Sequence, residues 1–149
     1  LEFRRVLFRS RFRVRYQECD GQQVVFNARY ADYVDLAIKE FMRALGCEYS
    51  QLQARGLDNQ AVKLTLEWQS SARFDDVLNV FVSVKQLGNT SFTLEAEILH
   101  ADDGRAIASS QAVYVMMTNE PFEKTPVPDD LRELFLAGAP GRVIDQSGR

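Results

Sequence analysis

Asp20 and Asn27 are the residues of this chain whose types and spacing point most directly to chemistry. They bound the stretch Asp-Gly-Gln-Gln-Val-Val-Phe-Asn, which sets a carboxylate at the end of a strand pattern, a tight turn after it, and an Asn at the start of a strongly amphipathic helical pattern. Alternation in the preceding segment puts Phe12, Val14, Tyr16, Glu18 and Asp20 on one face, and Arg11, Arg13, Arg15 and Gln17 on the other. Asp20 is therefore expected on the apolar side, where an ionised carboxylate is costly unless a neighbour stabilises it. The helix N-terminus that follows offers free backbone N–H groups and positive dipole potential. That pairing reads as a reaction site. Judged locally, the alternative is a solvated turn residue capping the next segment, common for any Asp before Gly.

Other groups carry less. His100 is the only His; it ends a strand pattern before the Asp102-Asp103 turn and reads as a hairpin or surface residue without a catalytic role. A Cys–His dyad would need Cys19 or Cys47. Cys19 falls on the opposite strand face from Asp20 and Cys47 follows the helix stop, so each reads as a reduced structural thiol. One His and no close Cys pair leave no expected metal site. Asp75-Asp76 and Asp129-Asp130 read as a turn and a helix start. No Gly-rich phosphate loop is present.

The elements that must position Asp20 are legible around it. Tyr30, Tyr33, Val34, Ala37, Ile38, Phe41, Met42 and Leu45 form one apolar helical stripe. Asn27 is the expected N-cap, Arg43 sits late, and Gly46 supplies a left-handed stop. A short helical turn over Tyr49 to Arg55 breaks at Gly56. Strand patterns follow: Val62, Leu64, Leu66 and Trp68; Val80, Val82 and Val84; Phe92, Leu94, Ala96 and Ile98; then the run from Arg105 to Thr118. Turns fall at Gly88-Asn89-Thr90 and Asp102-Asp103-Gly104. A brief helix over roughly Asp130 to Leu136 precedes a polar tail. The order predicts an α+β domain with one long helix on one face of an antiparallel sheet.

The segments Tyr16 to Asp20, Val24 to Tyr30 and Ser71 to Asp76 carry a resemblance. Strand, Asp-x-x-x-x-Val-x-Asn-x-x-Tyr, long helix and a later Ala-Arg-Phe-Asp-Asp resemble the hotdog-fold acyl-CoA thioesterases of the 4-hydroxybenzoyl-CoA thioesterase type, over about Arg11 to Phe135. The resemblance implies a single hotdog domain, a five-stranded antiparallel sheet ordered 1-3-4-5-2 wrapped around the long helix. It implies a homodimer with active sites at the interface, or a homotetramer built from such dimers. It also implies hydrolysis of an acyl-CoA thioester with no cofactor, coenzyme A being part of the substrate. Asp20 would be nucleophile or general base, and backbone N–H groups near Asn27 would polarise the carbonyl. The acyl group would lie along Phe26 and Tyr30, with Val62 and Lys63 of the neighbouring subunit opposite and Arg73 meeting phosphate at the mouth; a local ion pair with Asp75 and Asp76 is the other reading of Arg73. The family usually has Gly three residues after the Asp, where this chain has Gln23, with Gly21 earlier. Asn27 replaces an aromatic residue or His, so acyl specificity does not carry over. A non-catalytic acyl-binding protein and an acyl-carrier-protein thioesterase are the alternatives. Retention of Asp20 speaks against the former, and four scattered Lys offer no docking patch for the latter.

Composition bounds these readings. At 149 residues, 46% apolar, the chain is long enough for one well-packed domain. Two Cys without a close pair fit a reducing cytoplasm, no apolar run is long enough to span a membrane, and a net charge of −3 gives no reason to expect nucleic acid. The first ten residues break both the alternation and the acidity; they resemble translated sequencing-adapter read-through and are set aside as a non-native leader, the alternative being a basic arm. Removing their three Arg and one Glu takes the net charge from −3 to −5. The expected organisation is thus a leader over 1–10, a hotdog domain over 11–137 and a polar tail over 138–149.

Overall fold

The computed structural model describes residues 7–149. Its long helix α1, Arg29–Leu45, buries all eight residues of the expected stripe and ends at Gly46 with φ 86°. Glycine adopts that left-handed conformation without the Cβ clash other residues meet. A short α2, Tyr49–Ala54, follows, and α3 covers Asp129–Ala137.

The strands are β1 (Phe8–Arg13), β2 (Leu57–Trp68), β3 (Val77–Leu87), β4 (Ser91–His100), β5 (Ala106–Thr118), β6 (Glu123–Lys124) and β7 (Val143–Asp145). They form one sheet in the order β2-β5-β4-β3-β1-β7, with β6 beside β5. The expected order 1-3-4-5-2 is therefore present, extended by two short strands, and every pairing is antiparallel except β1 with β7. Alternation on the central strands sends Leu78, Val80, Val82, Phe92, Leu94, Ala96 and Ile98 inward, where they join the apolar face of α1 in a single core. This is the hotdog arrangement.

Three sequence expectations change. The boundary drawn after residue 10 falls inside β1: Phe8 is 2% exposed and packs on Phe41 with ring centroids 5.4 Å apart, while Ser10 is fully buried. The first six residues of that leader lie outside the described residues. The tail, read only as polar, contributes β7 to the sheet edge beside β1.

Alternation does not continue from Phe12 to Asp20. The last β1 pair is Arg13 with Val77, the first residue of β3, so the ladder ends there. Local bonds take over: the Glu18 carboxylate accepts the Arg15 N–H at 2.7 Å, and Tyr16–Glu18 close into a 3₁₀ turn. Tyr16 consequently points to solvent.

Third, β2 begins at Leu57 and carries a register shift between Ala61 and Lys63, leaving Val62 in a bulge. Its only neighbour is β5, so Val62, Leu64 and Trp68 are exposed, and only Leu66 of the four packs against the core. The apolar residues are on the expected strand, but nothing among the described residues pairs with its outer edge.

Candidate active site

The Asp20 turn is built by its own backbone. Asp20 N–H bonds Val24 O at 2.9 Å and Gln23 N–H bonds Asp20 O at 2.9 Å. The Gln22 N–H donates to Asp20 Oδ1 at 2.8 Å, fixing the carboxylate as an Asx turn and leaving Oδ2 without a partner among the described residues. Gln23 takes φ 66°. The residue standing at the family's usual glycine position thus adopts the backbone conformation that glycine favours, and Gly21 does not.

The beginning of α1 differs from the expected cap. Ala28, with φ −72° and ψ −20°, is the N-cap, and no side chain caps the helix. Asn27 sits one residue earlier, in a turn closed by Arg29 N–H to Phe26 O at 2.8 Å. Its carbonyl accepts the Trp68 indole N–H at 3.2 Å. With no side chain occupying them, the N–H groups of Asn27 and Ala28 have no acceptor among the described residues. A helix start left open in this way is a donor site for a ligand oxygen.

Asp20 and this helix start share one cleft of about 400 Å³, which is also lined by Val24, Phe26, Tyr30 and Trp68. Loop residues Gln69, Ser70 and Ser71 close its side. Long-range contacts hold that loop. The Tyr30 hydroxyl accepts the Ala72 N–H at 3.0 Å, and Arg105 Nη1 donates to Ser70 Oγ at 2.9 Å and Ser71 O at 2.8 Å. Burial raises the Tyr30 hydroxyl above its ordinary pKa, so it stays protonated as a fixed post.

Of the residues expected around the substrate, the structure brings Asp20, Phe26, Asn27 and Tyr30 together in that cleft. Val62 and Lys63 lie mid-strand on the open edge and do not line it within one subunit. Arg73 borders it through the backbone bridge between Val24 and Arg73. Its guanidinium makes no ion pair with Asp75 or Asp76: Asp75 is taken by Arg13 at 3.0 Å, and Asp76 faces His100 at 3.4 Å. Trp68, Gln22 and the loop Gln69–Ser71 were not read as site residues from the sequence. Trp68 carried one usable signal, an indole N–H at a strand end that needs an acceptor.

The competing groups lie elsewhere. His100 is the hairpin residue expected rather than a surface one: it ends β4, its side chain is 11% exposed between Asp76 and Asp103, and Nδ1 accepts the Asp102 N–H at 3.2 Å. Cys47 is buried, and desolvation pushes its thiol up to about 11. Cys19 is also raised by burial. Among the described residues no three His, Cys, Asp or Glu side chains gather as a metal ion would require. A second cleft of about 390 Å³ sits beside the C-terminal half of α1, lined by Met42, Arg43, Glu48, Tyr49 and Asn59. There the helix dipole is negative, and Glu48 is already bonded by Arg43 at 2.8 Å, so that cleft is poorly suited to a developing oxyanion. No helix among the described residues is long and apolar enough to cross a membrane.

Comparison with known proteins agrees with this fold. An acyl-CoA thioester hydrolase of Escherichia coli, YbgC, is 29% identical over 97 residues, covering 65% of this chain and 72% of that protein. The structure of a gentisyl-coenzyme A thioesterase superposes with a TM-score of 0.75 at 27% identity, covering 83% of this chain and 98% of that one. A 1,4-dihydroxy-2-naphthoyl-CoA thioesterase from Synechocystis has the same fold, with a TM-score of 0.80 at 18% identity over 87% of this chain and 95% of that one. Residues 14–135 match the family model of the thioesterase-like superfamily, and the chain belongs to that superfamily.

Proposed function

We propose that this protein hydrolyses acyl-CoA thioesters in the cleft between the Asp20 turn and the start of α1. The observation that carries the proposal is the pairing in one cleft of a carboxylate with a free oxygen and a helix start with open backbone N–H groups. Membership in the thioesterase-like superfamily supports the reaction class.

In this reading the thioester carbonyl oxygen accepts hydrogen bonds from the N–H groups near Asn27 and Ala28. As the carbonyl carbon becomes tetrahedral, negative charge grows on that oxygen. The positive end of α1 stabilises it more than it stabilises the neutral ester. Asp20 supplies the other half of the reaction. Its carboxylate either attacks the carbon, expelling the CoA thiolate and leaving an anhydride that water cleaves, or removes a proton from the attacking water. Both routes end in free acid and CoA. Phe26, Tyr30 and Trp68 give the acyl group apolar walls, worth about 25 cal/mol per Å² of surface removed from water.

The site is completed by a second subunit. The open edge of β2 exposes Val62, Leu64 and Trp68, a row suited to a twofold copy of the same edge. An antiparallel β2–β2 pairing runs the first half of one strand beside the Trp68 end of the other. Centred on Thr65, that pairing sets Val62 and Lys63 of the partner subunit opposite Trp68 and Glu67, beside the cleft. Light scattering that finds only a 17.0 kDa monomer at micromolar concentration would sink the dimer.

The deciding experiment follows CoA thiol release across a panel of acyl-CoAs for the wild type and Asp20→Asn. We expect a folded variant slower by at least about a hundredfold, the usual scale for losing an acid–base group. Wild-type rates in the variant would refute the assignment.

A further inference from the structure

We propose that the exposed aromatic pair Tyr16–Phe74, flanked by Arg15 and Arg73, is the platform that holds the adenosine-phosphate end of coenzyme A. The inference rests on the acyl-CoA reading above and extends it to a part of the surface outside the cleft.

Tyr16 is 78% exposed and Phe74 53% exposed, yet the two rings meet edge to face with centroids 5.9 Å apart. They come from different parts of the chain. Val14 N–H to Asp76 O at 2.8 Å and Asp75 N–H to Val14 O at 3.1 Å set the segment after β1 against the loop before β3. Those bonds therefore bring Arg15-Tyr16 beside Arg73-Phe74. Two large rings held in contact and left facing water form an apolar patch that calls for a flat partner.

The charges around the rings select the partner. Each carboxylate nearby already has its own donors. Asp75 pairs with Arg13 at 3.0 Å. Asp76 accepts the Arg73 backbone N–H at 2.9 Å and faces His100 at 3.4 Å. Glu18 Oε1 accepts the Tyr33 hydroxyl at 2.9 Å and the Arg15 backbone N–H at 2.7 Å. The guanidinium groups of Arg15 and Arg73 have no such partner among the described residues. Two unpaired guanidinium groups beside two exposed ring faces match a purine with phosphates attached, since guanidinium forks bind phosphate oxygens and aromatic faces stack on bases.

The position is also right. Arg73 is bridged to Val24, which lines the cleft, and the Val24 carbonyl accepts the Asp20 N–H. The platform and the carboxylate are thus neighbours through one short turn, and the pantetheine arm would join them. The platform belongs to the β1–β3 side of the sheet, away from the open edge of β2, so an edge-to-edge dimer leaves it uncovered.

The test compares acyl-CoA with the same acyl group on N-acetylcysteamine, which keeps the thioester and lacks the nucleotide. In Tyr16→Ala/Phe74→Ala and in Arg15→Gln/Arg73→Gln, KM for acyl-CoA should rise about tenfold, the scale of losing one stacked base or one phosphate contact. KM for the truncated thioester should move less than twofold. Adenosine 3′,5′-bisphosphate should compete with acyl-CoA in the wild type and lose that competition in both variants. Unchanged KM for acyl-CoA in both folded variants overturns the platform. A changed oligomeric state with unchanged KM overturns it too, and gives the rings to a contact between copies. If the wild type cleaves neither thioester, the hydrolase reading fails on its own. Calorimetric titration of CoA into wild type and variants then still decides the platform, by weaker binding in the variants or by none of it.

Discussion

Exchanging the glycine character of the Asp20 turn between positions 21 and 23 probes how this chain builds its site without the family's usual glycine. Gln23 sits at φ 66°, whereas Gly21 lies outside the left-handed region and a Cβ added there meets nothing within 4 Å. A left-handed non-glycine residue costs about 1–2 kcal/mol. Glycine gives back about 0.5–1 kcal/mol through the greater freedom of its unfolded chain. Gln23→Gly should therefore stabilise by about 0.5–1 kcal/mol. The bond from residue 23 N–H to Asp20 O is a backbone bond and survives the change. Gly21→Ala should stabilise by about 0.4–1 kcal/mol through the unfolded state alone. For a chain of this size each kcal/mol moves Tm by about 2–4 °C. Calorimetric melts of the two single variants should then both rise by about 1–4 °C, with kcat on acyl-CoA within about threefold of wild type. A fall in Tm for Gln23→Gly would mean that the left-handed residue is not at 23. A fall for Gly21→Ala would put it at 21, and the Asx turn that orients Asp20 would have to be redrawn.

Three further outcomes follow from other parts of the molecule. Phe8→Ala removes a ring that is 2% exposed and packed on Phe41, so it should cost about 3 kcal/mol or more and lower Tm by about 6 °C or more; an unchanged melt would separate the segment before Arg11 from the core. With its pKa raised to about 11, Cys47 holds only about one thiolate in a thousand at pH 8, and its labelling rate should climb about tenfold per pH unit toward that value. Ellman's reagent at pH 8 should thus reach Cys19 first and Cys47 only after denaturant, and two fast equivalents from the native protein would contradict the burial. Val62→Trp should raise KM or shift acyl preference in a folded dimer, and an unchanged substrate profile would place the acyl wall elsewhere.

What the sequence made legible was local. The α1 stripe needs only 3.6-residue periodicity, and Gly46 needs only its place after Leu45, so both were readable and both stand in the structure. The β1 reading failed where the answer depends on a distant partner: β1 stops because β3 begins at Val77, and nothing between Phe12 and Asp20 encodes that. The Asn27 cap failed for a related reason. Its type suits a cap, but the turn closed by Phe26 and Arg29 advances the helix start by one residue, and the Asn27 carbonyl is spent on a Trp 41 positions away. The loop that walls the cleft is held by Arg105 across 34 positions, a contact no local pattern announces. The expectation for Asp20 rests on a strand pattern that the structure does not have. The expected strand alternation is absent, and the turn that presents its carboxylate is set by Gln22, Gln23 and Val24.

One strand carries two obligations in this fold, and that shapes how any change to it must be interpreted. Trp68 ends β2, lines the cleft and bonds Asn27, while Val62 and Leu64 of the same strand form the uncovered edge. An exposed row of apolar residues with unpaired backbone groups is an invitation to another strand. On the proposed dimer, satisfying that edge also closes the cleft, because twofold pairing brings the first half of one β2 to the Trp68 end of the other. Assembly and substrate binding then share contacts, so an activity loss from an edge substitution says nothing about chemistry until the oligomeric state is measured in the same sample. Asp20 is free of that ambiguity. It sits in a turn closed by bonds among Asp20, Gln22, Gln23 and Val24, so replacing its carboxylate with an amide tests the reaction while leaving the edge alone.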